Sequence, residues 1–260
     1  MRYARVRVQG VPLWGRAEAD GGTIALLSSS PIAGSPTVIG SIPAARATWL
    51  PPVVPPVFYA VGFNYPRHIA HAKAGTPKRP EVGYRANNAL TGHGSPIIRP
   101  HGVTGRFEAE PELVAVIGTT LRHASYDEAR AGIFGWTVGN DVSARTWQHE
   151  DRTFWRAKNS DTFKPMGPWI ETDADPLART TTTTLRVNGE VRAEFPTGDM
   201  VFDPYDYLVE MSRHLTLHPG DVLWMGAESV CALAPGDTVD IEIDGIGVLS
   251  NPVIQEGPPS

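Results

Sequence analysis

Glu110-Pro111-Glu112-Leu113-Val114-Ala115-Val116-Ile117-Gly118 is the stretch on which the reading turns. The apolar part is too short for a core helix and rich in valine, so it reads as a buried β-strand. Side chains alternate along a strand, which puts Glu110 and Glu112 on one face at its head. Pro111 has no N–H to donate and suits a strand start. Two carboxylates side by side repel, and a cation between them is the simplest remedy, although a bare Glu-x-Glu is more often a solvated strand edge. A second strand, Ile133-Phe134-Gly135-Trp136-Thr137-Val138, ends at Gly139-Asn140-Asp141, so a third carboxylate sits at a strand end with Ser143 and Arg145 close behind. Three carboxylates without thiolates suit a hard divalent cation, Mg²⁺ or Mn²⁺.

Outward from these strands the chain is punctuated by 26 glycines and 24 prolines among 260 residues, as in strand-rich folds with many turns. Asn188-Gly189 reads as a two-residue hairpin turn, Val239, Ile241 and Ile243 alternate with acids, and Thr23–Leu27 and the threonine run 180–184 read as extended. Helix signals are few: Ser125-Tyr126-Asp127-Glu128 has capping-box form, and Pro204 to Leu215 has mixed apolar spacing. His68 and His71 are expected in a surface loop. Pro51-Pro52-Val53-Val54-Pro55-Pro56 separates a small β-rich module (1–50) from a larger domain (57–254), followed by a loose tail (255–260). The expected fold is mostly β (α+β).

The charge of −5 and the lack of basic clusters speak against nucleic-acid binding. A single cysteine, Cys231 in an apolar stretch, excludes a disulfide framework and is expected to pack rather than react. No run approaches the roughly 18 apolar residues of a membrane helix, and nothing at the N-terminus has signal-peptide form. A cytoplasmic protein with no membrane partner is expected. Nucleophile elbow, phosphate loop and zinc-helix motifs are missing, which disfavours a nucleophilic hydrolase.

The blocks together resemble the fumarylacetoacetate hydrolase family over about residues 57–254. They are Gly62-Phe63-Asn64-Tyr65-Pro66-Arg67-His68, the Glu110–Gly118 stretch, Asn140-Asp141-Val142-Ser143-Ala144-Arg145, Lys158–Pro168 and the closing Gly245–Val253. The resemblance implies a mixed β-roll or sandwich with a few outer helices and a small N-terminal β domain, assembled as a homodimer. It implies Glu110, Glu112 and Asp141 as ligands of one Mg²⁺ or Mn²⁺, and Lys158 as an active-site cation. His68 becomes a proton carrier from a lid segment, and Gln148 faces substrate. Arg85 and Arg145 join Gln148 on the substrate side. The implied chemistry is C–C hydrolysis or isomerisation of a small 2-oxo, 1,3-dicarbonyl or dienoate acid through a metal-stabilised enolate, of the kind met in aromatic catabolism. Decarboxylation or oxo–enol tautomerisation is the alternative, and a catalytically idle ligand-binding homologue the non-enzyme one. Three positions depart from the pattern: His71 stands where relatives carry a glutamate, Arg85 where many carry lysine, and Gly226-Ala227-Glu228 where Gly-Thr-Pro is common. The third exchanges a hydroxyl for a carboxylate.

Overall fold

In the computed structural model, which describes residues 1–18 and 21–258, the strand Pro111–Ile117 lies at the centre of the molecule and is buried along its whole length. Its odd-numbered residues Leu113, Ala115 and Ile117 enter the main core. Its even-numbered Val114 and Val116 enter a second core with Met166, Ile170 and Trp224. A strand covered on both faces needs apolar residues at consecutive positions, and that is what the run supplies.

The strand belongs to a twelve-stranded sheet. From one end its order is Val38–Pro43, Thr23–Leu27, Val11–Ala17, Arg2–Val8, Lys164–Glu171, Ile133–Asn140, Pro111–Ile117, Val222–Trp224, Phe58–Ala60 and Gly83–Tyr84. Two short strands, Thr48–Leu50 and Leu90–Thr91, pair off this path. A five-stranded sheet runs Glu190–Pro196, Thr182–Val187, Thr238–Ile243, Gly247–Gln255, Ile97–Arg99, and a three-stranded one joins Ser143–Ala144, Phe107–Ala109 and Cys231–Ala232. The mostly-β expectation is met, including the Asn188-Gly189 hairpin between paired strands. Cys231 is half-buried.

The N-terminal strands continue the main sheet: Arg2 and Tyr3 pair with Glu171 and Ile170. The proline-rich segment is packed down, with Pro52, Val53 and Pro55 buried and the Pro55 carbonyl accepting from Asn87 at 2.8 Å. The expected loose tail is tied at its start. Gln255 ends a strand that pairs in parallel with Ile97–Arg99, and Glu256 accepts from the His101 N–H at 2.8 Å; residues 259–260 of that tail lie outside the described residues.

Five helices occur among the described residues: α1 (Pro66–Ala72), α2 (Tyr126–Ala131), α3 (Arg145–Glu150), α4 (Trp155–Asn159) and α5 (Pro204–His214). α2 has its capping box, with Ser125 and Glu128 bonded reciprocally, and α5 opens with the Pro204 that the sequence suggested. α1 corrects the expectation of a loop around His68 and His71. Pro66 at its first turn presets φ, and Ile69 alone anchors it in the core. Helices of five to seven residues are too short for a 3.6-residue period to emerge, so α1, α3 and α4 leave no periodic trace in the sequence. Among the described residues no helix is long and apolar enough to cross a membrane.

Gly139 lies opposite Glu112 in the strand pairing, and the fully buried Trp224 ring covers it. A Cβ there would come within 2.6 Å of that ring. Gly139→Ala is therefore expected to cost about 1–3 kcal/mol, the range for overpacking a filled core, and to disturb Asp141 two residues on. Urea unfolding with an unchanged m-value and a lowered midpoint checks this.

Candidate active site

The site is built where two central strands end side by side. Beyond the last paired positions, Pro111 with Asn140 and Glu112 with Gly139, the chains stay linked. The Asp141 N–H donates to the Glu110 carbonyl at 3.0 Å, and the Glu110 N–H donates to the Asn140 side-chain oxygen at 3.1 Å. Glu110 and Asp141 thus face each other across the gap. The backbone turns sharply after Val222–Trp224, with Gly226 at φ +80°, a conformation open to glycine. Its N–H donates to Glu112 Oε2 at 2.9 Å.

Glu110, Glu112 and Asp141 are all buried, and each offers an oxygen within 4.8 Å of those of the other two. Four cations surround them. Lys158, on α4, donates to Glu110 Oε2 at 2.9 Å and to Asp141 Oδ2 at 3.1 Å. Arg85 donates to the same Oδ2 at 3.0 Å. Lys164, wholly buried at the head of its strand, lies 2.6 Å from Asp141 Oδ1 and donates to the carbonyls of Val142 and Phe163, each at 3.0 Å. Arg145 donates to Glu108 Oε2 and Glu110 Oε1, both at 2.5 Å, and to Gln148 Oε1 at 2.7 Å. The Ser143 hydroxyl donates to Glu110 Oε1 at 3.0 Å.

The three carboxyls titrate apart. Burial pushes each upward, but Arg85, Lys158 and Lys164 outweigh it at Asp141 and hold that carboxyl well below its usual range. Lys158 and Arg145 do the same, less strongly, for Glu110. Glu112 has no cation of its own. Burial, reinforced by Asp141 and Glu110, pushes it well up, and its Oε1 is buried without a partner. Burial brings Lys164 down to about 7. A buried acceptor lacking a donor, within reach of two further carboxylates, is the position a cation fills; the all-oxygen donor set fits a hard divalent ion.

The His68 imidazole on α1 is lowered mainly by burial, with Glu110 opposing and Arg145 and Lys158 adding to that shift. Arg85 and Arg145 are largely occupied in supporting Asp141 and Glu110, and Gln148 is drawn to Arg145. Reading the sequence missed Lys164, Asn140 and the buried Glu108. Lys164 left one signal: a lysine between Phe163 and Pro165-Met166, at the head of an apolar strand, requires a buried partner.

The sequence profile of the fumarylacetoacetate hydrolase C-terminal region matches residues 57–254, and an N-terminal profile named for Rv2993c matches residues 1–52. Protein Rv2993c of Mycobacterium tuberculosis is 39% identical over 87% of this chain and 86% of its own. The chain belongs to the fumarylacetoacetate hydrolase family. The crystal structure of 5-carboxymethyl-2-hydroxymuconate delta-isomerase from Mycobacterium smegmatis superposes with a TM-score of 0.88 at 35% identity, covering 98% of this chain and all of that one. Maleylpyruvate hydrolase from Sphingobium sp. SYK-6, solved with manganese(II) and pyruvate, superposes with a TM-score of 0.80 at 25% identity, covering 99% of this chain and all of that one. Family membership makes this chain an enzyme of a group whose members include isomerases and hydrolases.

Glu112 yields a prediction of opposite sign with and without metal. Its pKa is raised on folding, so in metal-free protein its stability cost grows as pH rises above the ordinary carboxylate range. In EDTA at pH 8, Glu112→Gln is expected to stabilise, because it removes a carboxylate whose ionised form burial and two neighbouring carboxylates disfavour. With saturating Mn²⁺ the order is expected to reverse, because wild type gains binding energy that the variant lacks. Paired urea titrations decide it.

Proposed function

We propose that this protein is a divalent-cation-dependent enzyme for a small 2-oxo, 1,3-dicarbonyl or dienoate acid, acting as a C–C hydrolase or isomerase. The observation that carries the reading is the buried Glu110–Glu112–Asp141 triad with Lys158 against two of its members. Those three residues would hold Mg²⁺ or Mn²⁺. A bound cation supplies Lewis acidity toward the two oxygens of such an acid's head group; the manganese and pyruvate in the Sphingobium hydrolase support that choice.

The chain's own groups have distinct tasks. The Lys158 ammonium stabilises negative charge developing on a substrate oxygen in a site shielded from water. His68, held below its usual pKa by burial, is a neutral imidazole at pH 7 and accepts or returns a proton. Arg145 and Arg85 orient Glu110 and Asp141 and, with Gln148, form the wall toward substrate. The reading includes a cytoplasmic homodimer with neither nucleic-acid nor membrane partners.

Decarboxylation or oxo–enol tautomerisation is the second reading, favoured by His71. A second imidazole on α1 gives His68 no anionic support on that helix for activating water. Turnover of oxaloacetate and of an acylpyruvate, with Mg²⁺ or Mn²⁺ and then EDTA, separates the outcomes. Acylpyruvate cleavage marks a hydrolase; CO₂ release or enol–keto conversion alone marks the second reading. Glu112→Ala is expected to abolish turnover, and Lys158→Met to lower kcat by roughly 10²–10³-fold, as for loss of a group stabilising an oxyanion. Activity that survives both EDTA and Glu112→Ala would sink the metal-dependent reading. Tight Mn²⁺ binding without turnover of either substrate would favour an idle binding homologue.

A further inference from the structure

The stretch that steadies the triad also reaches a second feature. Two residues past Gly226, whose N–H holds Glu112, Glu228 enters a cavity of about 300 Å³ lined by Arg67, His68 and His71 from α1 and by Glu228, Ser229 and Val230 opposite. His68 lines this cavity, and Glu228 follows only two residues after the glycine bonded to Glu112, so the cavity lies beside the triad.

The charges on its wall are unequally placed. The Glu228 side chain is 3% exposed, whereas Arg67, 3.0 Å away, is 77% exposed. A guanidinium in water is strongly screened and offsets a buried carboxylate only weakly. The Ser229 hydroxyl donates to the other Glu228 oxygen, so the wall carries one buried carboxylate whose counter-charge is a solvated guanidinium.

We propose that Glu228 is a specificity-determining residue. It accepts a hydrogen bond from a hydroxyl or amide at the far end of a 2-oxo acid, and it excludes acids bearing a second carboxylate at that end. This rests on the reading of the triad as a cation site that takes the 2-oxo acid head group. A second carboxylate would be placed against a buried like charge, whereas a donor would complete a charge-assisted hydrogen bond.

The test is calorimetric binding to Mn²⁺-loaded protein of three five-carbon probes with one head group: 2-oxopentanoate, 5-hydroxy-2-oxopentanoate and 2-oxoglutarate. Wild type is expected to bind the hydroxy acid at least about tenfold more tightly than 2-oxoglutarate, a difference of 1.4 kcal/mol. Glu228→Gln and Glu228→Thr should each collapse that ratio towards one while leaving 2-oxopentanoate affinity within about twofold. Arg67→Met, which removes the counter-ion, should enlarge the ratio. Equal binding of the two polar probes by wild type, preference for 2-oxoglutarate, or a ratio unmoved in both Glu228 variants overturns the proposal alone. Failure of all three probes to bind, 2-oxopentanoate included, removes the head-group reading and the proposal with it.

Discussion

The site depends on keeping three carboxylates together out of water. Each would be driven to take a proton by burial alone, and two of them stay charged because lysine and arginine side chains stand within hydrogen-bonding distance. The surrounding architecture serves that balance. Two central strands end level with each other, a glycine turn presents a backbone N–H to Glu112, a one-turn helix brings Lys158, and an apolar strand begins with Lys164. Neutralisation is incomplete at Glu112, and that local deficit gives the cluster an appetite for an external cation.

How much of this was legible in the sequence follows the length scale of each signal. Strand alternation acts over a few residues, so the paired glutamates on one face and the Asn188-Gly189 hairpin could be read directly. Asp141 was legible as a carboxylate at a strand end, but its opposition to Glu110 depends on antiparallel register, which no single segment encodes. The short helices α1, α3 and α4 are set by what they pack against, hence the misplaced loop around His68. Lys164 escaped notice because a lysine is ordinarily solvated; its burial is settled by Asp141, distant in sequence. Arg145 was placed on the substrate side by the resemblance alone, and the carboxylates it meets belong to its neighbours Glu108 and Glu110.

The family resemblance and the residue-by-residue reading converge on the triad by separate routes. One uses ordered motif blocks, the other the electrostatics of oxygen donors without a counter-ion. They part at the edge of the site. There the family pattern offers Gly-Thr-Pro, while this chain places a buried carboxylate opposite two histidines. Divergence at the periphery around a retained centre is how one scaffold comes to serve several reactions.

The pairing of Arg2 and Tyr3 with Ile170 and Glu171 bears on how the protein is made. Strands at the start of the chain are synthesised long before the strand that completes their sheet. Thr48–Leu50 covers Arg5–Arg7 early, but until Lys164–Glu171 has left the ribosome the Arg2–Tyr3 end of that strand keeps an unsatisfied hydrogen-bonding edge, the kind of surface that recruits wrong partners. One strand both covers that end and delivers Lys164 to Asp141, and the Gly226 N–H that holds Glu112 is made later still, so the candidate site is finished only after the sheet around the N-terminal strands has closed.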